Sequence, residues 1–313
     1  MLVIAALGGN ALQRRGQPLE ADAAVGSAKL AASVLAGVAR EHELVVTHGN
    51  GPQIGLLALQ SEAYRDVRSY PLDLLGAESE GMIGYLLERE LANALPEREV
   101  ASLLTQTVVD ALDPAFRKPT KPIGPVYGGG EAVRLARERG WTVDHDGDKW
   151  RRVVASPVPR SIVELPTIRI LLEHQVLVVC AGGGGVPVVV DSGGVRHGVE
   201  AVVDKDAATA MLARNLGADL LLLLTDVPAV EVGWGTADAR PIGRIMSREL
   251  ATLEFAAGSM APKVAAAMSF VNATGARAAI GALGDAVALV AGTKGTQVTH
   301  ERRDTRDEVA SGA

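Results

Sequence analysis

The chain has 313 residues, 48% of them hydrophobic but only 3% aromatic, with 31 basic and 37 acidic side chains and a net charge of −6. That balance argues against general nucleic-acid binding, which needs a basic surface, while a local basic pocket stays open. The single cysteine, Cys180, excludes an intrachain disulfide and fits a reducing cytoplasm, and the start MLVIAALGGNAL lacks the basic region of a signal peptide.

Residues 2–7 read as a buried strand ending in Gly8-Gly9-Asn10. An alanine-rich helix is expected over 20–40, then a second strand over 43–47 that runs into His48-Gly49-Asn50-Gly51. Pro52 sits in the first turn of a helix reaching about Tyr64, a favoured place for proline. Residues 72–95 read as a long helix broken or kinked near Gly81, and 100–105 as a third strand. Strands alternating with helices imply a parallel sheet with helices on both faces. No apolar run approaches the roughly 18 residues that span a bilayer, so no membrane partner is expected.

The alternation stops near Asp113. Residues 113–160 hold six prolines and the run Gly128-Gly129-Gly130. They are expected to form a flap or small protruding subdomain inserted into an α/β domain of residues 1–300; a plain surface insertion is the other reading. Alternation resumes with a helix over 162–173 and a strand over 175–180 that ends in Gly182-Gly183-Gly184-Gly185. Beyond an extended PVVVD come a helix over 204–217 and an apolar strand over 219–224. Helices near 247–257 and 262–274 and a strand near 277–281 follow. The charged tail, 301–313, is expected to fray.

Three apolar strands thus end in glycine-rich turns. Glycine lacks the Cβ that keeps a ligand from backbone N–H groups, and open α/β sheets bind ligands at such strand ends. The P-loop pattern is absent. A dinucleotide fingerprint at Gly182 and Gly184 fails because Pro187 occupies its third glycine position.

Lysines are a minority of the basic residues, and three are oddly placed. Lys205 follows Asp204, a good N-cap, and Lys263 follows Pro262, so both fall in first helical turns. A cation there opposes the helix dipole at a cost of roughly 0.3–1 kcal/mol, unless an anion is held at the same terminus. Position alone leaves open a phosphate clamp or two solvated surface lysines. Lys121, in PTKPIGP, sits on a stiff strut that could carry its charge over a pocket or merely expose it. Asp206 could organise the lysines or simply stabilise the helix start. Adjacent helical residues point in different directions, so it need not pair with Lys205.

The segments ALGGNAL (6–12), VVTHGNGPQIG (45–55), PLDLLGAESEGMIGYLL (71–87), PTKPIGP (119–125), VCAGGGGVPVV (179–189), VEAVVDKDAATAMLA (199–213), LLLTDV (222–227) and GSMAPKV (258–264) together resemble the carbamate kinases of the amino acid kinase superfamily. DPAFRKPTKPIG marks the inserted piece that other members of the superfamily lack. The resemblance implies a three-layer αβα sandwich around an open, mainly parallel sheet of about eight strands, a protruding subdomain and a cytoplasmic homodimer. It implies the reversible reaction of ATP and carbamate to ADP and carbamoyl phosphate, run toward ATP, with Mg2+ carried by phosphates and water rather than by protein ligands.

The resemblance also assigns residues. Gly8, Gly9, Asn10, Gly49, Asn50, Gly51, Gly182, Gly183 and Gly184 would surround the substrate and the transferred phosphoryl group. Lys121, Lys205, Asp206 and Lys263 would be catalytic, and Thr225, Asp226, Val227 and Met260 would join Lys205 and Lys263 at the nucleotide. Val126 and Gly128 to Gly130 depart from the family's flap pattern, and TDVPAVEV departs from its nucleotide loop. The alternatives are a relative that phosphorylates a carboxylate, such as N-acetylglutamate, and a nucleotide-binding regulator without turnover.

Overall fold

The computed structural model describes residues 1–12, 19–64, 66, 68–236, 238–255 and 260–300, with Asn10 and Ala11 described by their backbone alone. The tail 301–313 and residues 258 and 259 of GSMAPKV lie outside the described residues.

Eight strands form the central sheet: β1 (Leu2–Leu7), β2 (Glu43–His48), β3 (Val100–Ser102), β4 (Leu177–Val179), β5 (Leu220–Thr225), β6 (Arg244–Met246), β7 (Arg277–Ala282) and β8 (Thr296–Thr299). Their order is β6-β8-β7-β5-β1-β2-β4-β3, and every neighbouring pair is parallel except β7 with β8. The helices used below are α1 (Ala21–Ala39), α2 (Gly51–Ala63), α3 (Leu72–Ala94), α4 (Gly129–Arg139), α5 (Leu165–Glu173), α6 (Lys205–Leu216) and α7 (Met260–Thr274).

Strand side chains alternate between faces, so a strand covered on both sides is apolar throughout. Val3, Ala5 and Leu7 pack with Leu35 of α1 and Leu87 of α3. Ile4 and Ala6 pack on the other face with Ile168 of α5, Leu212 of α6 and Phe270 of α7. The result is the expected three-layer sandwich, with a core of Ala, Val and Leu that follows from the scarcity of aromatics. The 19-residue α1 is long and apolar enough to span a bilayer by length and composition, which the reading of apolar runs overlooked. Its Ala28, Ala31, Ala32, Leu35 and Ala36 lie buried in the core.

Three local expectations need correction. Helix α3 runs unbroken through Gly81. The helix expected over 162–173 starts only at Leu165, because Pro159–Ile162 is a strand paired antiparallel with Gln106–Val109. Pro166 in the first turn of α5 marks that start. Of 247–257, among the described residues Ser247–Leu250 alone is α-helical, and 256 and 257 lie outside them. The extended PVVVD is a strand, Val186–Val190, in a separate four-stranded sheet.

Within 113–160, Lys121–Tyr127, Thr142–Asp146 and Lys149–Val154 make a three-stranded antiparallel sheet, accompanied by α4. Ile123 and Val154 of this sheet share an apolar cluster with Ile54 and Ala58 of α2. Gly55 and Gly124 permit that contact. A Cβ on Gly55 would overlap the Gly124 backbone, and Gly124 takes a φ of +70° that favours glycine. Glu62 of α2 pairs with Arg139 and lies 3.6 Å from Arg152, and both guanidinium groups sit over Trp141 at 5.0 and 4.8 Å. The inserted piece is therefore fastened to the helix whose first turn carries Gly51.

Candidate active site

The C-terminal ends of β1, β2 and β4 bring the glycine turns together. Gly49 lies so close to Gly9 that a Cβ there would come 3.0 Å from Gly9 N and 3.4 Å from Lys205 Cε. Gly8 sits against the end of β5, where its Cβ would come 2.9 Å from Leu224 O and 3.7 Å from Thr225 Cα. A Cβ on Gly182 would strike the His48 ring, and one on Gly183 would strike the Asn50 amide. Three turns far apart in sequence thus form one surface.

Their N–H groups divide into two sets. Gly8 N–H goes to Leu224 O at 2.9 Å and Gly49 N–H to Leu7 O at 3.0 Å. Gly182 N–H goes to Glu80 Oε1 at 2.8 Å and Gly184 N–H to Ala181 O at 3.0 Å. These four hold the turns in shape. Gly184 is moreover wedged against Val203, and its carbonyl accepts from Thr107. Among the described residues, the N–H groups of Gly9, Asn50, Gly51 and Gly183 have no acceptor within the protein. They are the donors left for an anion, with Gly51 opening α2.

Asp204 caps α6, its Oδ1 accepting from the N–H groups of Asp206 and Ala207 at 3.0 Å. Two N–H groups of that helix start are therefore engaged, and the cations carry the site's positive charge. Asp204 Oδ2 takes Lys121 Nζ at 2.5 Å, so the strut from the inserted sheet delivers its ammonium to the start of α6. Asp206 Oδ1 pairs with Lys205, and Asp206 Oδ2 with Lys263 Nζ at 3.1 Å. Lys205 and Asp206 thus pair directly although they are adjacent in the helix. Lys205 is the first residue of α6, and its long stem folds back over the opening turn.

The Lys205, Asp206 and Lys263 side chains are 11%, 6% and 7% exposed, so three charges lie almost out of water. Burial works against ionising Asp206, but the two ammonium groups outweigh it and hold the carboxyl at about 2. Burial, with Lys263 alongside, lowers Lys205, and Asp206 opposes that. One carboxylate faces two cations, which leaves net positive charge beside Gly9 and Gly49. Thr47 and Thr209 hydroxyls, 2.7 Å apart, tie α6 to β2 and fix the cluster's height above the sheet.

The nucleotide-side residues are more spread out. Thr225 is buried next to Gly8 and donates to Asp226 Oδ1 at 3.1 Å. Asp226 is exposed, Val227 half-buried, and half-buried Met260 opens α7 one turn before Lys263. The Asn10 side chain lies outside what is described.

Three residues beside the cluster have roles that the local sequence does not show. Asp204, a cap by its position, also holds Lys121. Glu80 and His48 flank Gly182, with Glu80 Oε2 and His48 Nε2 buried and without partners among the described residues. Burial pushes Glu80 up to about 8, and burial with Lys205 nearby pushes His48 down to about 4. An acid in the middle of an otherwise apolar helix face was the available signal.

The model of the amino acid kinase family matches residues 1–282. The chain belongs to the amino acid kinase family. It is 53% identical over 307 residues to a carbamate kinase of Rhizobium meliloti, covering 97% of this chain and 95% of that one. It is 51% identical to a carbamate kinase of Haemophilus influenzae, covering 96% and 97%. The solved carbamate kinase from Giardia lamblia bound to AMP-PNP superposes with a TM-score of 0.88 at 38% identity, covering 96% of this chain and 98% of that one.

Proposed function

We propose that this amino acid kinase is a carbamate kinase, which transfers a phosphoryl group reversibly between ATP and carbamate and works toward ATP. The observation that carries the reading is the buried Lys205–Asp206–Lys263 cluster beside the Gly9–Gly49 contact, in a chain whose full-length relatives are carbamate kinases.

Phosphoryl transfer requires attacking and leaving oxygens in line, with negative charge neutralised throughout. Lys205 and Lys263, anchored on one carboxylate, meet that charge without reorganising at the moment of reaction. Lys121 supplies a third cation from the inserted sheet. The N–H groups of Gly9, Asn50, Gly51 and Gly183 complete the anion cradle. Carbamate is already an anion, so neither a base nor a protein nucleophile is needed. His48, buried and held near 4, stays neutral and outside the chemistry.

Both Asp206 oxygens and one Asp204 oxygen are committed to lysines, and no group of three or more metal-binding side chains occurs among the described residues. This donor set suits Mg2+ held by phosphate oxygens and water, where it neutralises phosphate charge. A cytoplasmic homodimer belongs to the same reading. The homodimer is supported by an exposed apolar strip on and beside α3: Leu74, Met82, Tyr85 and Leu104.

The test is to mix the protein with carbamoyl phosphate, ADP and Mg2+ and measure ATP, with acetyl phosphate as the control donor. ATP from carbamoyl phosphate supports the reading. A requirement for N-acetylglutamate, or nucleotide binding without turnover, would replace it.

A further inference from the structure

The segment PLDLLGAESEGMIGYLL puts Ser79 inside α3, fully buried. A serine within a helix commonly turns its hydroxyl back on the backbone, and Ser79 Oγ donates to Gly76 O at 2.8 Å. A hydroxyl has one proton, so only lone pairs remain for its other neighbour. That neighbour is Asn50, whose Nδ2 donates to Ser79 Oγ at 2.8 Å. The bond chain runs one way, and its direction orients the amide. Turning the amide over would set Asn50 Oδ1 against a Ser79 lone pair, two acceptors facing each other in a buried place.

Asn50 also forgoes its ordinary task. It is the N-cap of α2, where asparagine usually accepts from the first helical N–H groups, yet its side chain makes no cap bond. The amide instead lies against Gly183, whose φ of +65° and missing Cβ make room for it. Oδ1 therefore has no donor among the described residues. It is a bare acceptor beside Gly49 and Gly51.

Carbamate and acetate share shape and charge and differ in presenting an amino group or a methyl. We infer that Ser79 is a positioning residue for substrate selection: through the chain from Asn50 Nδ2 to Ser79 Oγ to Gly76 O, it turns Asn50 Oδ1 toward the substrate as the acceptor for the amino group of carbamate and carbamoyl phosphate. The inference rests on the carbamate kinase reading. A site built to hydrogen-bond a substrate N–H rejects an analogue without it, because the site's acceptor is left unpaired.

The experiment compares carbamoyl phosphate with acetyl phosphate as donors to ADP, for wild type, Ser79→Ala, Asn50→Ala and the double variant, each checked for folding by thermal melting. In Ser79→Ala the amide is free to turn, and the ratio of kcat/KM for carbamoyl over acetyl phosphate should fall about 10-fold, the size of one ordinary hydrogen bond. The fall should come from the carbamoyl donor, with KM for ADP unchanged. Asn50→Ala should lower the ratio at least as far, and the double variant no further than Asn50→Ala, because Ser79 acts through Asn50. A parallel loss for both donors in Ser79→Ala, or additive effects on the ratio, would overturn the inference. Should Ser79→Ala fail to fold, an unchanged donor ratio in Asn50→Ala overturns it as well. A wild type that makes no ATP from carbamoyl phosphate removes the carbamate kinase reading and this inference together. An active wild type with an unmoved ratio in the variants removes the inference alone.

Discussion

Lys263 Nζ lies 3.1 Å from Asp206 Oδ2, although 57 residues separate them. The contact joins the first turns of α6 and α7, two helices on the same face of the sheet, and the other Asp206 oxygen holds Lys205. Two buried ammonium groups next to one another are tolerable only with that carboxylate between them. Asp206→Asn should therefore damage both fold and turnover. Breaking a buried ion network of this kind costs about 3–5 kcal/mol. A clear drop in melting temperature should accompany a rate loss of about 100-fold or more. Calorimetry together with ATP formation checks this, and an Asn variant with native stability would show that the carboxylate is dispensable.

Lys205→Ala and Lys263→Ala remove charge rather than strand it. Each should lower turnover by about 100- to 1,000-fold, the scale for losing one preorganised electrostatic group. Both should stay folded. Far-UV dichroism and turnover measured on the same samples separate the two effects, and wild-type-like rates in both variants would dismiss the clamp.

Lys121 reaches the cluster from the inserted sheet and meets Asp204 Oδ2, while Asp204 Oδ1 keeps its cap on α6. Lys121→Ala leaves that cap in place. Its expected effect is a fall in kcat with ADP affinity preserved. If titration calorimetry instead showed ADP binding lost, Lys121 would belong to the nucleotide side.

Glu80 provides a pH test with a definite sign. Its folded-state value, about 8, lies above the ordinary 4.5 because burial disfavours the charge; the Gly182 and Thr105 bonds oppose that, and Glu164 adds a little. The folded protein thus holds a proton that the unfolded chain releases. Stability from this group is complete below about 4.5 and declines as pH rises toward about 8. Glu80→Gln, which keeps the acceptor for Gly182 N–H, should melt higher than wild type at pH 8. The gap should shrink toward pH 5. His48, pushed down to about 4 by burial, has the opposite sign and costs stability as pH falls from 6.5 to 4. Melting curves across this range distinguish the two residues.

Gly55 faces Gly124 with no room for a Cβ. Gly55→Ala should push the inserted sheet off α2, at a cost on the scale of 1–3 kcal/mol for overpacking. Because Lys121 begins that sheet, kcat should fall with stability. Ala at Gly51, where a Cβ meets nothing within 4 Å, is the control and should leave the melting temperature close to wild type.

Much of the fold was legible locally. The apolar runs of β1, β2 and β5 and the alanine-rich α1 announce themselves through patterns a few residues long. Asp204 was recognisable as a cap because the capping bond spans two or three residues. Errors arose where local signals were weak. Gly81 locally suggests a break or kink, but it is held inside a 23-residue helix whose Leu75, Ile83, Leu87 and Leu91 are buried. The strand at Pro159–Ile162 was missed because its partner lies some fifty residues away.

By itself, the sequence determined which residue types would be available: glycines at strand ends, lysines at helix starts, a proline-braced lysine and an acid next to Lys205. Backbone chemistry and capping act over a few residues, so those features could be read directly. Which N–H groups remain open to a ligand, which carboxylate each lysine meets, and which way the Asn50 amide faces were decided only by tertiary structure. Each depends on the distance between atoms brought together from separate strands and helices, and no local pattern encodes that distance.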